Sequence, residues 1–142
     1  MDQRLNSSWW ALRIGLGLAP FLAGLDKFFN LLTNWTIYLN PLALRVIPVS
    51  AATFMRAIGV VEMIVGIAIL TRWTRLGAYV AAAWLVGIAL NLVTMGTFFD
   101  VAVRDLLLAV AAYTLARLTE IRQPAAAGSY LHRQELARPN AA

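Results

Sequence analysis

Apolar residues in this chain gather into four long runs, at 9–32, 52–70, 76–95 and 101–118. Each is close to the roughly 20 residues that an α-helix needs to cross the hydrocarbon core of a bilayer. "LNP" and "VIPVS" break the chain between the first two runs. A tight turn over 71–75 joins the second to the third, and "MGTFFD" leads into the fourth. Ser7 and Ser8 are placed to cap the first helix. Trp9, Trp10, Trp35, Tyr38, Trp73, Phe98 and Phe99 fall at the ends of the runs, where interfacial aromatics belong. The pattern predicts an all-α fold: a bundle of four transmembrane helices over 9–122. A short N-terminus, 1–8, precedes it, and an Ala- and Pro-bearing tail, 123–142, expected to be mobile, follows. "SSWWALRIGLGLAPFLAG" has the look of a signal peptide, but Arg13 interrupts its apolar part, so it is taken as the first span.

Composition agrees with the pattern. The chain is 61% hydrophobic and 13% charged, against about half and a quarter in soluble globular domains. It has no cysteine, which removes disulfides, thiolate nucleophiles and cysteine metal sites. The single histidine, His132, lies in the tail, so no metal centre is expected. The net charge of +5 does not point to nucleic acid, because the basic residues sit at the ends of apolar runs rather than along one stripe. Four spans return both termini to one side. Arg4, Arg13, Arg72, Arg75, Arg117, Arg122, Arg133 and Arg138 fall on that side, and only Arg45 lies in the opposite loops. The positive-inside rule then makes both termini cytoplasmic.

Charges inside the runs are the informative exceptions. Asp26 and Lys27 lie near the outer end of the first run, Arg56 and Glu62 in the outer half of the second, and Arg104 and Asp105 at the start of the fourth. Asn91 adds an amide near the outer end of the third. At about 1.5 Å per residue all of these reach a similar depth, with Glu62 deepest at about 15 Å. Gly59, Glu62 and Gly66 share one helical face, as do Asp105, Ala109, Ala112 and Ala116, and Gly87, Asn91 and Thr94. On the first helix Arg13, Gly17, Pro20, Gly24 and Lys27 share another. Small residues mark close helix approach in membranes, so Lys27, Glu62, Asn91 and Asp105 are expected to point into the bundle. Arg56 and Arg104 are expected to snorkel outward, and Arg13 towards the cytoplasmic surface.

Two readings of this cluster follow. In one, Asp26, Lys27, Glu62, Arg104 and Asp105 form ion pairs that fix helix register. In the other they line a polar pocket near the outer face, with Lys27, Arg56, Asn91 and Arg104 contacting a ligand and Glu62 and Asp105 exchanging protons. The two are compatible.

"RIGLGLAPFLAGLDKFFN", "GVVEMIVGIAIL" and "DVAVRDLLLAVAAYTLA" together resemble the first, second and fourth helices of DoxX-like membrane proteins. The shared features are an early arginine, a G-x-x-K at Gly24 and Lys27, a G-x-x-E-x-x-x-G at Gly59, Glu62 and Gly66, and the Arg104–Asp105 start. The resemblance spans roughly residues 10–118 and implies a four-helix bundle in a bacterial cytoplasmic membrane. It also implies a place in a quinone-linked redox assembly, as in thiosulfate:quinone oxidoreductase subunits, with quinone as a non-covalent cofactor. Without cysteine, intramembrane thiol chemistry is excluded here. With no large domain outside the membrane, most of the chemistry would fall to partner proteins. The leading expectation is therefore a small membrane subunit of such an assembly, with partner proteins or further copies of itself beside it. The alternatives are a non-catalytic accessory subunit of a larger complex and a small-solute transporter.

Overall fold

The computed structural model describes residues 3–136, with side-chain positions as far as Arg122. The described residues are helical and turn structure with no strand. α1 spans Gln3–Asp26, a 3-10 turn spans Trp35–Tyr38, and α2 is a short helix at Pro41–Val46. α3 spans Ala51–Leu70, α4 Thr74–Met95, and α5 Phe99–Leu136. Three of these, α1, α3 and α4, are long and apolar enough to cross a membrane. The apolar stretch of α5 carries three charged residues, Arg104, Asp105 and Arg117.

Helix ends follow local chemistry, and several differ from the sequence expectation. α1 starts before Ser7 and Ser8, whose hydroxyls donate back to the Arg4 carbonyl at 2.8 and 3.1 Å instead of capping the helix. It stops at Asp26, where Asn30 takes the left-handed conformation (φ 53°), a geometry asparagine tolerates better than most residues. Ser50 caps α3 by accepting from the Thr53 N–H. Gly96, at φ 71°, ends α4. α5 runs past the expected boundary at Leu118 as far as Leu136. The alanine-rich run after Pro124 favours helix. Of the tail expected over 123–142, residues 137–142 lie outside the described residues.

The four long helices close into a ring. α1 packs chiefly on α3 and α4 chiefly on α5, and the contacts α3–α4 and α1–α5 complete the circuit. The interior is built from small residues: Gly17, Gly24, Gly59, Gly66, Ala78, Ala81, Ala89, Ala102, Ala109, Ala112 and Ala116 are all buried. Large apolar side chains such as Leu22, Ile64, Leu76, Leu90, Leu107 and Val110 face out. In water this arrangement would waste its largest apolar groups, whereas in lipid helix association depends on close backbone approach. The expected small-residue faces of α1, α3 and α5 form these contacts. That of α4 does not: Gly87 meets open space and Thr94 is exposed. α4 turns Ala78, Ala81, Ala89 and Leu92 inward instead, a face roughly 150° round the helix from the expected one.

Candidate functional site

α1 and α3 run antiparallel and touch through two glycine pairs, Gly17 with Gly66 and Gly24 with Gly59. A Cβ on Gly59 would lie 2.5 Å from the Gly24 carbonyl oxygen, one on Gly66 would lie 2.6 Å from that of Gly17, and one on Gly24 would strike the Gly59 carbonyl. The pairs are seven residues apart on each helix, about 10.5 Å along the axis, so backbone contact holds across two turns.

Straddling the Gly24–Gly59 crossing, Lys27 Nζ donates to Glu62 Oε2 at 2.5 Å. The two side chains are 4% and 9% exposed, so both charges are withdrawn from solvent. Lys27 Nζ also lies 3.7 Å from the centroid of the Trp35 ring, which roofs the pair. Asp105 of α5 is buried at 4% exposure and is close enough to Lys27 and Glu62 for each to feel its charge. Its direct cation is Arg104, whose Nη2 stands 3.3 Å from Asp105 Oδ1 while most of that side chain is exposed. The Trp84 indole N–H is buried without a partner in hydrogen-bonding geometry, although it is near enough to the Glu62 carboxylate to act on it. One ammonium, two carboxylates and an indole N–H from all four long helices therefore converge, with a guanidinium at the edge.

The outcome for the other sequence candidates is mixed. Asp26 is buried but belongs to no ion pair among the described residues. Its carboxylate instead accepts from the backbone N–H groups of Leu31 and Leu32 at 3.0 and 3.1 Å and from Trp35 Nε1 at 2.8 Å. It thereby fixes the chain leaving α1 and aims the Trp35 ring at Lys27. Asn91 is half-buried and apart from the charges, and it donates to the Tyr38 carbonyl at 3.0 Å. Arg56 is exposed and forms no ion pair among the described residues. Arg13 does not snorkel freely: Nε donates to the Ile69 carbonyl at 3.1 Å, and Nη2 to those of Leu70 and Thr71 at 2.6 and 2.7 Å. It thus caps the C-terminus of α3, where cations are favoured. Trp9, expected at the interface, is 5% exposed. Its Nε1 donates to Thr119 Oγ1 at 2.8 Å, and the Arg122 guanidinium lies 3.8 Å from its ring centroid.

The groove the structure describes, about 560 Å³, lies between α4 and α5 against Ala82, Ala83, Val86, Leu106, Ala109 and Tyr113, and its walls are apolar. Sequence reasoning missed the Trp35 roof and the Arg13 cap. An aromatic nine residues after Asp26 and an arginine opposite a helix end give no signal until the chain is folded. Among the described residues no cluster of His, Asp and Glu could hold a metal ion. No protein-family model matches this chain, and neither does any curated protein or solved structure.

Proposed function

We propose that this chain is a four-span integral membrane subunit of a bacterial cytoplasmic membrane, with 101–118 of α5 as the fourth span and both termini cytoplasmic, that serves a quinone-linked redox assembly. The observation that carries this reading is the buried Lys27–Glu62 pair with Asp105 beside it. A buried ion pair adds little stability over well-packed apolar residues of the same volume. Retaining one ammonium and two carboxylates among apolar helices therefore points to use of their charge or protons. In this reading a quinone would supply the redox chemistry, with its electrons exchanged with a partner redox protein; Glu62 and Asp105 would give or take the accompanying protons, and Lys27, with Arg104 at the edge, would hold the quinone oxygens. The resemblance to DoxX-like proteins at Gly24, Lys27, Gly59, Glu62, Arg104 and Asp105 supplies the redox context.

A second reading is favoured by the closed geometry of the pair: an accessory subunit whose ion pair fixes register and whose partners carry the chemistry. Purification in mild detergent, with mass spectrometry of bound proteins and quinones, tests the first. Co-purified quinone or a redox partner is the expected result, together with loss of the assembly's quinone-reducing activity in Glu62→Gln. A chain that runs alone without quinone overturns the redox assignment. A stable complex whose activity survives Glu62→Gln leaves the accessory role in its place.

A further inference from the structure

The connection between α1 and α3 is unusual for a loop outside a membrane. From Phe28 to Ser50 its only charged residue is Arg45, yet large apolar side chains lie exposed along it. Leu31, Leu32, Leu42 and Val46 are 83%, 73%, 63% and 84% exposed, and Phe29, Ile37, Leu44 and Val49 are also open. The segment is not loosely attached. Tyr38 packs tilted against Phe98 with centroids 4.8 Å apart, Leu39 is 7% exposed, and Asn40 Nδ2 donates to Thr94 Oγ1 at 3.3 Å. With Asn91 on the Tyr38 carbonyl and Trp35 on Asp26, one side of the strap is fixed across the end of the bundle. The opposite side presents leucines and valines.

We infer that residues 28–49 form a strap seated in the head-group layer of the same bilayer that α1 and α3 enter, with Leu31, Leu32, Leu42 and Val46 immersed. Three features select lipid as the occupant. Both ends of the strap are covalently continuous with helices able to cross a membrane, Asp26 closing α1 and Ala51 opening α3, so it cannot leave the membrane face. Its exposed apolar side chains continue the apolar outer surface of those helices, as in Leu22, Leu25 and Val60. Its aromatics and single cation are the residue types that settle at the interface beside anionic head groups. The seating has a consequence for the buried pair. Trp35 lies mid-strap, so the bilayer holds its ring over Lys27. The inference rests on α1 and α3 crossing the membrane and is independent of any redox role.

The absence of cysteine makes the test clean. Leu31→Cys, Leu42→Cys, Val46→Cys and, as a polar control on the same strap, Asn34→Cys are made singly in the full chain. Each is labelled with an environment-sensitive fluorophore and reconstituted into phosphatidylcholine–phosphatidylglycerol vesicles. Seating in lipid predicts blue-shifted emission at 31, 42 and 46, at least two-fold stronger quenching there than at 34 by lipids spin-labelled near the head group, and protection from aqueous iodide. Iodide quenching at 31, 42 and 46 equal to that at 34 overturns the proposal. Protection from both quenchers overturns it too, because a protein would then cover the strap. Three separate sites keep the test decisive if one substitution disturbs folding.

Discussion

Breaking the Lys27–Glu62 pair from either side should have unequal costs, and the inequality follows from where Asp105 sits. Removing one member of a buried ion pair costs about 3–5 kcal/mol, because the survivor keeps its charge without compensation. Lys27→Met strands two carboxylates, Glu62 and the nearby buried Asp105, with only the outward-leaning Arg104 left to balance them. Glu62→Leu strands Lys27 alone, and Asp105 is already within its electrostatic reach. Lys27→Met is therefore expected near the top of that range and Glu62→Leu near the bottom. At about 1.4 kcal/mol per factor of ten, the top corresponds to a shift of several thousand-fold in the folding equilibrium. The double substitution replaces the pair with apolar groups of similar volume, so it should recover most of the loss and approach the parent protein. Sodium dodecyl sulfate titration from mixed micelles, followed by far-UV circular dichroism, measures all three. Single variants within about 1 kcal/mol of the parent, or a double variant as damaged as the sum of the singles, would refute a desolvated contact pair.

Three further outcomes can be read by the same titration. Gly59→Ala should destabilise by about 1–3 kcal/mol through overpacking against the Gly24 backbone, whereas Gly15→Ala and Gly87→Ala, which meet open space, should be neutral or gain up to about 1 kcal/mol. Arg13→Met should cost about 1.5–3 kcal/mol by releasing three carbonyls at the end of α3, and Arg13→Lys should restore only part, since an ammonium lacks the planar fork. Thr119→Val should cost about 1–3 kcal/mol by leaving the buried Trp9 N–H unsatisfied, and adding Trp9→Phe should return part of that loss.

Helix content and the core faces of α1, α3 and α5 were legible because they depend on periodicity. Glycines and alanines recurring every three or four residues define a face whatever the helix packs against. The offset on α4 was not legible: Gly87 and Ala89 are both small, and only the partner helix decides which turns inward. Burial of Lys27, Glu62 and Asp105 could be read from the cost of exposing charge to lipid. The pairing could not, since Asp26 was an equally near carboxylate. In the fold Asp26 is taken up by the backbone N–H groups of Leu31 and Leu32, in the loop that follows α1. The inward contacts of Trp9 and Trp35 were not legible for a related reason. Trp9 and Trp35 have indole N–H groups that found Thr119 and Asp26, and those partners drew the rings onto the bundle.

The glycine crossing and the ion pair are one structure seen from two sides. A Cβ on Gly59 would lie 3.1 Å from Lys27 Cβ and 3.3 Å from Lys27 Cδ, so the lysine stem runs across the space that Gly59 leaves empty. Reciprocally, a Cβ on Gly24 would lie 3.1 Å from Glu62 Cβ. Each glycine thus clears a path for the charged side chain of the opposite helix, and each stands three residues before its own helix's charge, Gly24 before Lys27 and Gly59 before Glu62. Three residues are most of a helical turn, which keeps glycine and charge on one face in both helices. Widening the crossing at either glycine would lengthen the Nζ–Oε2 contact and let the charges drift apart where no water replaces the lost partner. Lipid gives little apolar drive to press the helices together, so the close backbone approach and the charge contact each depend on the other. This is why G-x-x-K on α1 and G-x-x-E on α3 must be read as a single motif divided between two helices.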